Sequence, residues 1–173
     1  MSGPSHFRAV RLAAISLVIG FHSVCWAQGY PAILTGAELQ RVVPSSFYFE
    51  GQAGPTQMRN SAAARLAERS YVIAALVDTS GYASDIRGRY EGFLITDTPI
   101  KLGRANLGTG AYGFGFSAAG GKVNIYDVGG KQILSTESTK DDGLKGARPL
   151  MMTKAADGVR LYRGKSYVSV ALE

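Results

Sequence analysis

Three alternating runs joined by two Gly-Gly pairs occupy residues 110–137, and they leave the chain little choice of fold class. In Gly110–Ser117, Tyr112, Phe114 and Phe116 lie on one side of a period-two pattern. Ala111, Gly113 and Gly115 lie on the other. A helix would scatter these side chains around its axis, whereas a strand gathers them on one face. Gly120-Gly121 leads into Lys122–Val128, and Gly129-Gly130 leads into Lys131–Glu137. Both central positions of a type I′ turn need positive φ, which glycine adopts freely, so the stretch predicts a three-stranded antiparallel meander.

The same punctuation runs through the rest of the chain, which holds 22 Gly in 173 residues. Phe47–Glu50, Tyr71–Asp78, Tyr90–Asp97, Leu150–Lys154, Val159–Tyr162 and Tyr167–Leu172 read as strands. Turns are expected at 156–158 and 163–164, and loops at 51–55, 79–89 and 138–148. Residues 71–78 are apolar on both faces, which predicts a central strand. Thr35 and Glu38 have capping-box spacing, and Leu39, Val42 and Val43 follow at helical intervals. A short helix is therefore expected at 36–43, ended by Pro44. Residues 60–70 allow two readings: a helix capped by Asn60, or a strand at 62–67 turned by Glu68-Arg69-Ser70 into the next. The expected fold is all-β, an antiparallel sandwich or squat barrel of roughly nine short strands, forming one domain at 28–173.

Residues 1–27 have a different character. Arg8 and Arg11 precede an apolar block at 12–19, and Cys25-Trp26-Ala27 offers small residues at the positions a signal peptidase reads. The order fits a secretory signal peptide cleaved after Ala27, with an uncleaved anchor helix as the alternative. The block is too short to span a bilayer, and Val24 before Cys25 argues against a lipoprotein signal. The expected location is the periplasm or the medium, with no transmembrane span after cleavage.

Cleavage would leave 17 of the 19 basic residues against all 13 acidic ones, a net charge of +4. It would also remove His6, His22, Cys25 and Trp26, which are all the His, Cys and Trp of the chain. A mature chain so composed has no disulfide, no thiol or Ser-His-Asp catalysis, and no metal site built on imidazole or thiolate. No cofactor and no metal are expected. Only carboxylates, hydroxyls, Lys and Arg remain for chemistry.

Several short motifs compete with plainer readings. Gly108, Gly110 and Gly113 have dinucleotide-loop spacing, but Phe114-Gly115-Phe116 continues as strand rather than helix. Gly164-Lys165-Ser166 resembles the end of a phosphate loop, but Val159 stands where its first glycine belongs. Asp78, Asp85, Glu91 and Asp97 are close in sequence, and a pair of carboxylates suffices for glycoside hydrolysis. Glu91 and Asp97, six residues apart along one strand, lie about 20 Å apart, too far to act together. Arg59, Arg65, Arg69, Arg87 and Arg89 make the middle of the chain basic, as a groove for an anionic glycan or lipid headgroup would need, or as ordinary solubilising charge. The Tyr112, Phe114, Phe116 stripe reads as core sooner than as a sugar platform.

Ala75-Leu76-Val77-Asp78-Thr79-Ser80-Gly81 resembles the active-site motif of retroviral-type aspartic proteases, and Leu102-Gly103-Arg104 resembles their later hydrophobic-Gly-Arg element. Ser80 interrupts the first motif, and the interval to Gly103 is shorter than the family's flap requires. Ser45–Phe49, Ala74–Tyr82 and Gly110–Phe116 resemble an uncharacterised family of small exported bacterial β-domain proteins. That resemblance implies export and transfers no site.

These readings predict an exported, non-catalytic binding or envelope interaction module, with a carboxylate-dependent hydrolase as the alternative. A speculative binding site gathers Asp78, Ser80, Tyr82, Arg87 and Arg89 after the central strand. Asp78 ends the most apolar run, where desolvation would raise its pKa. The expected partners are an anionic glycan, a lipid headgroup or an envelope protein, and not nucleic acid.

Overall fold

A computed structural model describes residues 29–117 and 121–173. The expected signal segment at 1–27, and Gly120 of the first Gly-Gly pair, lie outside the described residues. Among the described residues the architecture is mainly antiparallel β, in two sheets with two short helices.

The first sheet contains β1 (Ala32–Ile33), β2 (Ser46–Phe49), β3 (Gln52–Ala67), β4 (Ser70–Val77), β5 (Gly92–Thr96), β8 (Gly110–Phe116), β9 (Lys122–Tyr126) and β10 (Gln132–Glu137). Its order is β1-β3-β4-β5-β8-β9-β10, with β2 paired to β3. The second contains β6 (Ile100–Leu102), β7 (Ala105–Leu107), β11 (Thr139–Lys140), β12 (Arg148–Ala155), β13 (Gly158–Gly164) and β14 (Ser166–Leu172). Its order is β12-β13-β14-β6-β7, with β11 on β14. Helix α1 spans Gly36–Val42, and α2 spans Ser84–Arg87.

Side-chain alternation builds two cores. Val72, Ala74 and Leu76 of β4, Leu94 of β5 and Phe114 of β8 face the second sheet, and meet Leu161, Val168, Val170, Ile100 and Leu102 there. Phe114 is buried, with Tyr112 and Phe116 packed beside it, so the aromatic stripe is core. The opposite face of the same sheet carries Ala75, Val77, Phe93 and Tyr126, covered by Val43, Phe47 and Phe49. That second cover explains why β4 is apolar on both faces. Phe47 stacks on Phe93 at 4.8 Å, and Phe49 stacks on Tyr90 at 4.0 Å. Gly113 makes the second contact possible, because a Cβ there would overlap the Phe49 ring.

The structure resolves the ambiguity at 60–70 in favour of strand: β3 runs to Ala67 and turns into β4. The expected loop at 51–55 is instead the start of β3, paired residue by residue with β2. Pro55 is tolerated because it sits at the end of the β3–β4 ladder, where its carbonyl still accepts the Asp78 N–H at 2.9 Å. The Gly129-Gly130 hairpin exists, but only Gly130 has positive φ, at 86°. Gly130 N–H donates to the Asp127 carbonyl, and Asp127 N–H donates to the Lys131 carbonyl. A four-residue turn followed by one left-handed glycine replaces the expected turn with two. The loops expected at 79–89 and 138–148 contain α2 and β11, and the short strands β1, β6 and β7 add to the expected set.

Candidate functional site

Of the five sequence-derived site residues, Asp78 and Ser80 are hydrogen-bonded to each other, while Tyr82 and Arg89 bond to other parts of the fold. Asp78 is exposed at the end of β4, and its Oδ1 accepts the Ser80 N–H at 3.0 Å. That bond, then one from the Ser80 side chain, lowers the Asp78 pKa below its ordinary value, which corrects the expectation of a rise. Desolvation acts weakly because the carboxylate stands in water. Tyr82 is core: it is buried, and its hydroxyl donates to the Gln52 carbonyl at 2.9 Å. Arg89 donates to the Glu50 carboxylate and, at 3.1 Å, to the Gly130 carbonyl, while its guanidinium lies 5.1 Å from the Tyr126 ring. It ties the β2–β3 turn to the β9–β10 turn. Arg87 ends α2, exposed.

Asp97, Glu91 and Arg65 also carry structural duties. Asp97 caps the Tyr71 N–H at 2.7 Å. Glu91 accepts the Phe116 N–H at 2.9 Å and Arg163 Nη2 at 2.9 Å, joining the two sheets. Arg65 lies over the Tyr71 ring at 5.2 Å. Among the described residues, no cluster of three His, Cys, Asp or Glu side chains has the arrangement of a metal site.

A groove exists elsewhere, on the outer face of the second sheet, with a cavity volume of about 680 Å³. Its origin lies in strand alternation. Val168 and Val170 of β14 point into the core, so Ser169 and Ala171 point outward between them. Ser169 pairs with Arg160 of β13, and Ala171 pairs with Lys101 of β6. Small side chains on the central strand thus form a low floor between two long basic ones.

Tyr167 closes one end of that floor. Its ring lies 5.2 Å from Tyr162 and 4.6 Å from the Arg160 guanidinium. Arg160 is cationic at every working pH, as any guanidinium is, and a hydrogen bond to Tyr162 raises its pKa above the usual value. The segment after β10 folds over this end: β11 pairs with β14, and Tyr162 donates to Asp141 Oδ2 at 2.7 Å. The turn at 156–158 bounds the other end. On the rim, Arg104 lies 3.9 Å from Glu137, both largely exposed. Among the described residues, neither Lys101 nor Arg160 forms a salt bridge, although the Asp141 carboxylate acts on Arg160 from farther off.

Sequence reasoning missed this groove because its walls lie far apart along the chain, at positions 101 and 160. The one local signal is the small, polar outward set at Ser169 and Ala171, flanked by an aromatic at Tyr167. The chain matches no family model, no curated protein and no solved structure.

Proposed function

We propose that the protein is an exported, non-catalytic binding module, and that its ligand is anionic and occupies the outer groove of the second sheet. The observation that carries this reading is the low Ser169–Ala171 floor flanked by Lys101 and Arg160, neither of which forms a salt bridge among the described residues. Cations so placed favour an anion, and an open, solvated groove gives carboxylates no desolvation with which to become acids near neutrality. Export rests on the basic, apolar and small-residue order of residues 1–27.

Heparin chromatography tests the groove. Joint replacement Lys101→Gln and Arg160→Gln should lower the eluting salt concentration well below that of a control with equal charge loss, Arg41→Gln and Arg59→Gln. Equal shifts for the two variants would reduce the effect to net charge and remove the groove. Hydrolysis of a glycan, ester or peptide that Asp157→Asn abolishes would replace the binding reading with an enzymatic one. Intact mass tests export: protein recovered from the periplasm or medium should begin at Gln28.

A further inference from the structure

The groove does not stop at the 156–158 turn. A second hollow of about 200 Å³ adjoins it, lined by Tyr30, Pro31 and Leu66. Ala156, Asp157, Gly158 and Leu172 line both spaces. We propose that the two form one trough for a linear, carboxylate-bearing glycan several sugars long, with Lys101 and Arg160 pairing its acid groups and Tyr30 stacking on a sugar at the far end. This rests on the binding reading above and adds ligand class and length to it.

Three features favour a glycan over other anions. Tyr30 is 42% exposed beside the second hollow. An exposed ring with two rotatable angles offers a flat apolar surface to a sugar face at little entropic cost. The floor is shallow and made of small side chains, as a flat ring requires. An extended peptide would instead seek free backbone groups, but β14 is hydrogen-bonded on both sides, to β13 on one and to β6 and β11 on the other. The trough's two parts also exceed what a single small anion would fill.

Calorimetry with a galacturonate dimer and hexamer, and with a neutral glucose hexamer, tests the proposal. The galacturonate hexamer should bind at least roughly tenfold more tightly than the dimer, and the neutral hexamer more weakly than its charged counterpart. Tyr30→Ala should weaken hexamer binding roughly three- to tenfold and leave dimer binding unchanged, and Tyr30→Phe should restore it. Equal affinity for dimer and hexamer would overturn the trough while leaving the groove. Equal affinity for charged and neutral hexamers would overturn the ligand class. Groove-dependent heparin retention without galacturonate binding would sink this proposal alone; loss of both would sink the binding reading as well. Binding to phosphatidylglycerol vesicles through Lys101 and Arg160, with no glycan binding, would assign the groove to a lipid headgroup instead.

Discussion

At the scale of single residues, Asp78 and Gly130 behave differently from their sequence reading. Asp78 looks like a candidate acid because it ends an apolar strand, yet the Ser80 N–H and side chain stabilise its charged form. The sign follows directly. A carboxyl whose folded pKa lies below its unfolded value contributes stability above the unfolded pKa, and loses that contribution as pH falls through the folded one. Carbon-detected NMR titration should therefore place the Asp78 midpoint below that of a solvated aspartate, and Ser80→Ala should move it upward. A midpoint above the ordinary range would restore the desolvation argument. Gly130 is the second case. It alone of the Gly129-Gly130 pair has positive φ, and the Glu50 carboxylate fills the space a Cβ would need. Gly130→Val should cost on the order of 1–3 kcal/mol in chemical denaturation. Gly129→Val should cost clearly less, and equal costs would contradict the observed turn.

At the scale of elements, legibility follows how locally each element is determined. The meander β8-β9-β10 and the central strand β4 were readable because periodicity and glycine act within a few residues. β3 was not, because Gly54 and Pro55 look like breakers; pairing with β2 and a place at the end of the β3–β4 ladder remove their cost. β6 and β7 are three residues each, too short to show a period, and only their pairing defines them. The groove was illegible for a similar reason: Lys101 meets Ala171 and Arg160 meets Ser169 through strand register, which a one-residue slip would scramble. The β2–β3 hairpin supplies an element-scale prediction. Phe49 is fully buried between Tyr90, Tyr126 and Gly113. Phe49→Ala should cost about 3–5 kcal/mol, measured by urea denaturation. A loss below about 1 kcal/mol would show that the hairpin is a loose cover rather than part of the fold.

At the scale of the whole molecule, the two cores have one scaffold. Ala74, Leu94 and Phe114 serve the core between the sheets, while Ala75, Phe93 and Tyr126 serve the aromatic core behind the first sheet. Neighbouring residues of β4 and β5 thus point into different cores, so neither core can melt without freeing strands the other needs. Glu91 reinforces the connection by holding Phe116 of β8 and Arg163 of β13 together. The expected behaviour is a single cooperative transition, as for most single domains of this size. Two signals separate the alternatives. The aromatic core holds Tyr82, Tyr90 and Tyr126, and residues 29–173 contain no Trp, so near-ultraviolet circular dichroism includes that core's tyrosines without indole overlap. Far-ultraviolet circular dichroism reports both sheets. The two curves should share one midpoint and one slope in urea, and Phe49→Ala should shift both together. An earlier tyrosine transition, with the sheet signal retained, would show that the hairpin and its aromatic core unfold as a separate unit.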